Sequence, residues 1–141
     1  MNEVQTIVSK RIMLIDDDPD DQLFFRDAIL IIRPDIQYDG VSSCQEAFIK
    51  LKQPPVPDYI FMDLNMPIMN GFDCLDYLKK QQEYRNIPIV IFTTSKNMKD
   101  ITRTRQLGAK WYLTKPDDFK ILCRKLKKIL QNEITGDVYT I

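Results

Sequence analysis

Histidine is absent from all 141 residues, and this absence excludes several common kinds of catalytic and metal site. A Ser-His-Asp triad or a Cys-His pair needs an imidazole as its general base, so neither can be built from this chain. A zinc site with Cys and His ligands is excluded for the same reason. The chain also cannot donate a phosphoryl group from a phosphohistidine of its own.

Long apolar runs are missing as well. The longest uninterrupted one, Ala28 to Ile32, covers five residues, whereas a transmembrane helix needs roughly 20. Residues 1–11 contain no apolar segment of the secretory-signal type. With 141 residues and 44% hydrophobic content, the chain is large enough for one domain with a core. We therefore expect a single cytoplasmic domain.

Cysteine is scarce and irregularly placed. Its three residues, Cys44, Cys74 and Cys123, fall in helix-like segments and form no C-x-x-C pair. This pattern is typical of buried reduced thiols, so we expect all three to be unpaired.

Charge is balanced overall, with 20 basic and 20 acidic residues, but it is unevenly distributed. Residues 96–128 contain eleven Lys or Arg and three Asp. A solvated helix face explains this region better than a nucleic-acid surface, because neither aromatic interleaving nor a recognition-helix pattern accompanies the basic residues. We expect no contact with nucleic acid or with a membrane.

Short apolar segments alternate with amphipathic ones along the chain. Strands are predicted at residues 11–15, 36–41, 59–62, 89–92 and 111–114, because each segment is brief and rich in β-branched or aromatic residues. Helices are predicted at about residues 20–32, 43–52, 72–82, 98–107 and 118–132. Their spacing is helical, and end signals support them, such as the capping box Ser43-x-x-Glu46 and the C-terminal Gly108.

Five strands alternating with five helices predict an α/β fold in which helices cover both faces of a parallel sheet. We expect a doubly wound, flavodoxin-like sheet with strand order 2-1-3-4-5. The domain is expected to span residues 10–132, with loose tails at residues 1–9 and 133–141.

Polar side chains follow four of these strands. Asp16 and Asp17 come after the first strand, Asp63 after the third, Thr93 after the fourth and Lys115 after the fifth. The carboxyl ends of parallel strands share one edge of a sheet, where such folds place their sites. Carboxylates brought together raise one another's pKa unless a cation lies among them, and Mg²⁺ prefers oxygen ligands. The sequence therefore predicts a Mg²⁺ site around Asp63.

Four sequence pieces along this edge identify a family. They are Ile15-Asp-Asp17, Phe61-Met-Asp-Leu-Asn-Met-Pro67 with Met69-Asn-Gly71, Phe92-Thr-Thr94 and Tyr112-Leu-Thr-Lys-Pro116. The order of these motifs and the distances between them resemble those of the receiver domain of bacterial two-component response regulators, and the resemblance covers roughly residues 10–131. The resemblance implies a single-domain regulator, similar to the chemotaxis type, that signals by protein contact and is not an enzyme.

The resemblance also implies roles for individual residues. Asp63 would accept a phosphoryl group from a kinase phosphohistidine and become an acyl phosphate. Mg²⁺ would be bound by Asp17, Asp63 and the backbone carbonyl of Asn65, while Asp16 would act through water. Such chemistry needs charge neutralisation and in-line positioning rather than a proton shuttle, so a site without histidine suffices.

The remaining implied roles concern the response to phosphorylation. Lys115 would contact a phosphoryl oxygen, and a cis bond would join it to Pro116. Thr93 would donate a hydrogen bond to the phosphoryl group, and its shift would let Tyr112 turn inward. This would alter the surface of the fourth helix, fifth strand and fifth helix, where a downstream protein would bind. The phosphoryl donor would be a sensor histidine kinase or a phosphotransfer protein.

Four alternatives arise on sequence alone. One is a degenerate receiver that acts as an unphosphorylated scaffold, and the intact set of site residues argues against it. A phosphorelay intermediate would pass its phosphoryl group to another histidine, and no residue separates that role from a terminal output. The pattern Asp16-x-Asp18 superficially fits an Asp-nucleophile phosphohydrolase, with Asp16 as the nucleophile, although that motif requires Thr where Asp20 stands. The alternation of Asp16, Asp18 and Asp20 suggests a calcium loop, but Asp21 stands where such a loop requires Gly.

Overall fold

Five strands and five helices alternate in the computed structural model, which describes residues 10–141. The strands are β1 (Arg11–Ile15), β2 (Gln37–Val41), β3 (Tyr59–Met62), β4 (Ile89–Thr93) and β5 (Trp111–Thr114). The helices are α1 (Pro19–Ile32), α2 (Cys44–Leu51), α3 (Gly71–Lys80), α4 (Met98–Gln106) and α5 (Phe119–Leu130). Neighbouring strands pair in parallel in the order β2-β1-β3-β4-β5. The predicted doubly wound fold is therefore confirmed.

Helices cover both faces of the sheet because its inner strands are apolar along their length. Successive side chains of a strand point to opposite faces. Met13 and Ile15 accordingly pack with residues of α2 and α3, whereas Ile12 and Leu14 pack with residues of α1 and α5. Strands β3 and β4 are buried at every position. A polar side chain that needs solvent must therefore lie after the end of the strand.

Helix boundaries follow from capping residues. The first helix begins at Pro19, because the Asp18 carboxylate accepts hydrogen bonds from the amides of Asp20 and Asp21 and proline suits a first helical position. At the far end of α4, Gly108 has a φ of 101°, the left-handed conformation predicted for a residue that ends a helix. Along residues 10–141, no helix has both the length and the apolar character required to cross a membrane.

The prediction that all three cysteines are reduced is wrong for two of them. Cys44 and Cys74 are joined by a disulfide, while Cys123 is a free thiol. Both bonded side chains are buried on the same face of the sheet, and their Cα atoms lie 6.0 Å apart. They are 30 residues apart in the sequence, so no local spacing indicated the pair.

The prediction of a loose C-terminal tail is also wrong. The Tyr112 amide donates a hydrogen bond to the Tyr139 carbonyl (2.9 Å), and the Ile141 amide donates to the Tyr112 carbonyl (3.0 Å). The hydroxyl of Tyr139 is buried and lies 2.6 Å from that of Thr104 on α4. This segment covers the outer edge of β5, where the backbone groups of Tyr112 would otherwise lack protein partners. The other predicted tail, residues 1–9, lies outside the described residues.

Candidate functional site

The carboxylate of Asp63 lies at the carboxyl end of the central strand β3. Asp63 is 6% exposed, and its backbone amide donates a hydrogen bond to the carbonyl of Ile15 on the neighbouring strand (3.0 Å). One carboxylate oxygen accepts a hydrogen bond from the Asn65 amide (3.4 Å), and the other lies 3.3 Å from Nζ of Lys115. The sheet therefore fixes the backbone of Asp63 while its carboxylate faces the edge of the fold.

The loop after Asp63 is shaped by a close backbone approach at Gly71. The Gly71 amide donates a hydrogen bond to the Leu64 carbonyl (3.0 Å), and a Cβ at this position would lie 2.4 Å from the Asp63 carbonyl oxygen. Only glycine fits there. In the same loop Ile68 has a φ of 69° and is 96% exposed, an uncommon conformation for a β-branched residue. A constrained loop thus borders the Asp63 carboxylate.

Two further carboxylates meet Asp63 from the end of β1. Asp16 is fully buried, and its Oδ1 accepts a hydrogen bond from the Asp18 amide (3.0 Å). Its Oδ2 lies 2.9 Å from Nζ of Lys115, in an ion pair without the geometry of a well-directed hydrogen bond. Asp17 is exposed, and one oxygen each of Asp16, Asp17 and Asp63 lie within 4.8 Å of one another. Burial raises the pKa of Asp16 to about 6, because Lys115 offsets only part of the desolvation cost.

These residues fit a hard divalent cation. Mg²⁺ takes a few carboxylate or carbonyl oxygens and retains several waters, and the cluster offers three carboxylates at one edge of the sheet. The buried Oδ2 of Asp16 has the Lys115 ammonium as a partner at 2.9 Å, and a carboxylate oxygen has further lone pairs that a cation or its bound water would satisfy. The role of the Asn65 carbonyl stays a prediction, since no contact of that atom tests it.

Lys115 is shared among three carboxylates. Its Nζ lies 2.7 Å from Asp21, 2.9 Å from Asp16 and 3.3 Å from Asp63, and its side chain is 10% exposed. Although burial lowers the pKa of Lys115, contacts with Asp16 and Asp21 outweigh it and raise the pKa above its ordinary value. The sequence prediction omitted Asp21, whose only signal was its place in the acidic run after β1.

The expected cis bond before Pro116 is absent. Among residues 10–141 the cis peptide bond is Pro54–Pro55, so Lys115–Pro116 is trans. The trans isomer is the more stable form of an ordinary X-Pro bond, and the Lys115 ammonium reaches the carboxylates with it in place.

Thr93 ends β4, the strand beside β3, and Tyr112 lies on β5, one strand further out. Thr93 is buried, and its hydroxyl oxygen accepts a hydrogen bond from the Ser95 amide (3.5 Å). Tyr112 is 1% exposed, and its hydroxyl donates to the Ser95 carbonyl (2.8 Å). The ring is therefore already turned inward, and Tyr139 packs beside it with ring centroids 6.1 Å apart. An inward movement on phosphorylation is thus not available from this conformation, and the switch role of Tyr112 stays a prediction.

Known proteins share this sequence pattern and fold. Residues 12–132 match the family model described as the response regulator receiver domain. The chain is 31% identical over 126 residues to protein PilH of Pseudomonas aeruginosa, covering 85% of this chain and 97% of PilH. It superimposes with a TM-score of 0.81 and 26% identity on the phosphorylated cyanobacterial phytochrome response regulator RcpA, covering 91% of this chain and 98% of RcpA. The Mn²⁺-bound form of response regulator Rcp1 gives a TM-score of 0.77 and 26% identity, with 92% of this chain and 98% of Rcp1 covered.

Proposed function

The chain belongs to the response regulator receiver family, the phosphoryl-accepting switches of two-component signalling, and we propose that Asp63 is the residue that takes the phosphoryl group. Receiver domains bind a divalent cation at an acidic pocket and exchange phosphoryl groups with histidine kinases or phosphotransfer proteins. The observation that carries the proposal is the Asp63 carboxylate itself. It is held beside the Lys115 ammonium (3.3 Å) and within 4.8 Å of oxygens from Asp16 and Asp17.

The proposed reaction is the attack of an Asp63 oxygen on the phosphorus of a donor phosphohistidine. The new oxygen–phosphorus bond forms as the nitrogen–phosphorus bond breaks, which leaves an acyl phosphate on Asp63 and the imidazole on the donor. Lys115 contributes a positive charge for the phosphoryl oxygens, and the Thr93 hydroxyl contributes a hydrogen bond. Mg²⁺, held by Asp17, Asp63 and the Asn65 carbonyl with Asp16 through water, would supply further charge neutralisation.

The phosphohydrolase alternative is disfavoured by the position of Asp18. That chemistry would need Asp16 as nucleophile with Asp18 as its partner carboxylate. Asp18 instead caps α1 by accepting hydrogen bonds from the amides of Asp20 and Asp21. Asp16 is fully buried and its Oδ1 is occupied by the Asp18 amide, so it offers a donor less access than Asp63 does.

The proposed function is tested with Mg²⁺ and acetyl phosphate, a small acyl-phosphate donor. We expect wild-type protein to gain the mass of one phosphoryl group, in an adduct that alkali removes, because acyl phosphates hydrolyse in base. Intact-mass spectrometry gives the measurement, and a reaction with excess chelator is the control. A mass gain that persists at full yield in chelator would contradict a cation-assisted transfer.

We further propose that the output surface is the basic face that α5 presents to solvent. Arg124 and Lys128 on this helix are exposed, and the region 96–128 carries eleven basic residues against three acidic ones. A partner with an acidic surface is the complement of such a face. Lys125 lies on the same helix, and its ammonium donates to the Ile141 carbonyl (3.2 Å).

Charge reversal at this face is expected to abolish partner capture. The variant Arg124→Glu/Lys125→Glu/Lys128→Glu replaces attraction to an acidic partner with repulsion, so phosphorylated protein should lose the partner that wild type retains from its own cell lysate. The matched control, Lys50→Glu/Lys52→Glu, reverses charges around the end of α2, away from α5. Undiminished capture by the α5 variant, or an equal loss of capture with the α2 variant, would contradict the proposal that the basic face of α5 is the output surface.

A further inference from the structure

Asp21 contacts the ammonium of Lys115 more closely than the phosphoryl-accepting residue does. Its Oδ2 lies 2.7 Å from Nζ of Lys115, whereas the corresponding distance from Asp63 is 3.3 Å. The two residues come from distant parts of the chain, since α1 carries Asp21 in its first turn and Lys115 follows β5. This contact therefore joins two elements across the mouth of the site.

The three carboxylates around Lys115 are not equally able to release it. Asp16 is fully buried and fixed by the Asp18 amide, and Asp63 is itself the site of reaction. Asp21 has a side chain that is 33% exposed, so water can solvate its carboxylate when the contact breaks. An ammonium group has three N–H donors, and a phosphoryl oxygen that approaches Lys115 meets donors already engaged by carboxylates. Of the three carboxylates, that of Asp21 can therefore lose its contact with Lys115 at the lowest cost in free energy, because water replaces the ammonium.

We propose that Asp21 is a positioning residue that holds Lys115 in a resting position and competes with the incoming phosphoryl group for its ammonium. The proposal rests on Asp63 being the phosphoryl-accepting residue. In the resting state Nζ of Lys115 lies closer to Asp21 (2.7 Å) and Asp16 (2.9 Å) than to Asp63 (3.3 Å), which leaves the Asp63 oxygen freer for a divalent cation. When a phosphoryl group arrives, Lys115 exchanges the Asp21 carboxylate for a phosphoryl oxygen.

This role predicts two effects of opposite sign in Asp21→Asn. Without the carboxylate, Lys115 shifts towards Asp63 and competes with the cation for its oxygen, so Mg²⁺ affinity falls. At saturating Mg²⁺, Lys115 is available without competition, so a phosphoryl mimic binds more tightly. Each change is expected to be about 2- to 5-fold, as for a partly exposed ion pair. If Asp21 had only a structural role, the substitution would weaken the binding of both ligands.

The experiment measures Mg²⁺ alone by titration calorimetry, and then beryllofluoride, a tetrahedral phosphoryl mimic, at saturating Mg²⁺. Asp20→Asn is the matched control, because it removes one charge from the same turn of α1, whereas the carboxylates paired with Lys115 within residues 10–141 are those of Asp16, Asp21 and Asp63. Asp21→Glu restores the charge and is expected to recover most of both affinities. Thermal melts in chelator check that each variant is folded.

Weaker Mg²⁺ binding with tighter beryllofluoride binding in Asp21→Asn, and little change in Asp20→Asn, supports the proposal. Equal effects of the two substitutions would show that Asp21 acts only through its general negative charge, and this result would overturn the proposal. Weaker binding of both ligands would also overturn it. Wild-type protein that binds Mg²⁺ but no beryllofluoride would instead contradict the proposed function, and that result is recognised without any substitution.

Discussion

Asp63→Asn is expected to abolish the acyl-phosphate adduct, with a loss of at least about 10³-fold in the rate of phosphoryl uptake. The substituted amide has nearly the shape of the carboxylate, but its oxygen carries no full negative charge and is a poor nucleophile. The neighbouring backbone contact, from the Asn65 amide to the side-chain oxygen, can be retained. The loss would therefore report the missing nucleophile rather than a collapsed loop. Intact-mass spectrometry after incubation with Mg²⁺ and acetyl phosphate gives the measurement.

Two comparisons make this result specific to Asp63. Asp117→Asn removes a carboxylate at an exposed position just beyond Lys115 and should leave the adduct yield unchanged. Asp16→Asn should reduce the yield through weaker cation binding without moving the modified residue, which peptide mapping can establish. An adduct that survives in Asp63→Asn and disappears in Asp16→Asn would instead favour the phosphohydrolase chemistry.

The strand ends were predictable from the sequence because apolar runs there stop abruptly at charged residues. The run Tyr59–Met62 is followed by Asp63, and Arg11–Ile15 is followed by Asp16. A carboxylate cannot continue a strand buried on both faces, so each boundary was predicted to the residue. The parallel arrangement then brings these carboxylates to one edge, which is why a one-dimensional pattern predicted the cluster.

Contacts between distant residues could not be predicted in this way. In the sequence, Asp21 is one of two acidic residues in the first turn of a helix, where acidic residues are common. Its contact with Lys115 depends on how α1 packs beside the end of β5. Tyr139 follows Gly136 and Asp137 in a stretch without periodicity, and its position depends on distant partners, the open backbone edge at Tyr112 and the Thr104 hydroxyl.

Asp16→Asn is expected to raise the stability of the cation-free protein at pH 7, by about 3 kcal/mol from a pKa shift of this size. The pKa of Asp16 is raised from 3.8 to about 6 in the folded state, so the folded state binds the proton more tightly than the unfolded state does. Ionisation of Asp16 therefore opposes folding as pH rises through this interval, and the cost is complete above pH 6. Asparagine removes the charge and keeps an oxygen for the Asp18 amide.

The pH dependence separates this cause from a general packing effect. Urea unfolding in chelator should show the gain at pH 7 and almost none at pH 4, where Asp16 of the folded wild type is already protonated. The exposed control Asp117→Asn should change stability by no more than about 0.5 kcal/mol at either pH. A variant less stable than wild type at pH 7 would mean that the Lys115 ion pair (2.9 Å) fully compensates the buried charge.

Saturating Mg²⁺ should reduce or reverse the advantage of Asp16→Asn. A ligand that binds only the folded state stabilises it by about 2.7 kcal/mol at a concentration 100-fold above its Kd, and wild type should gain more than the variant because its three carboxylates are intact. If both results are obtained, the buried charge at Asp16 lowers the stability of the free protein and strengthens the cation site. A variant that gains as much from Mg²⁺ as wild type would show that Asp16 takes no part in cation binding.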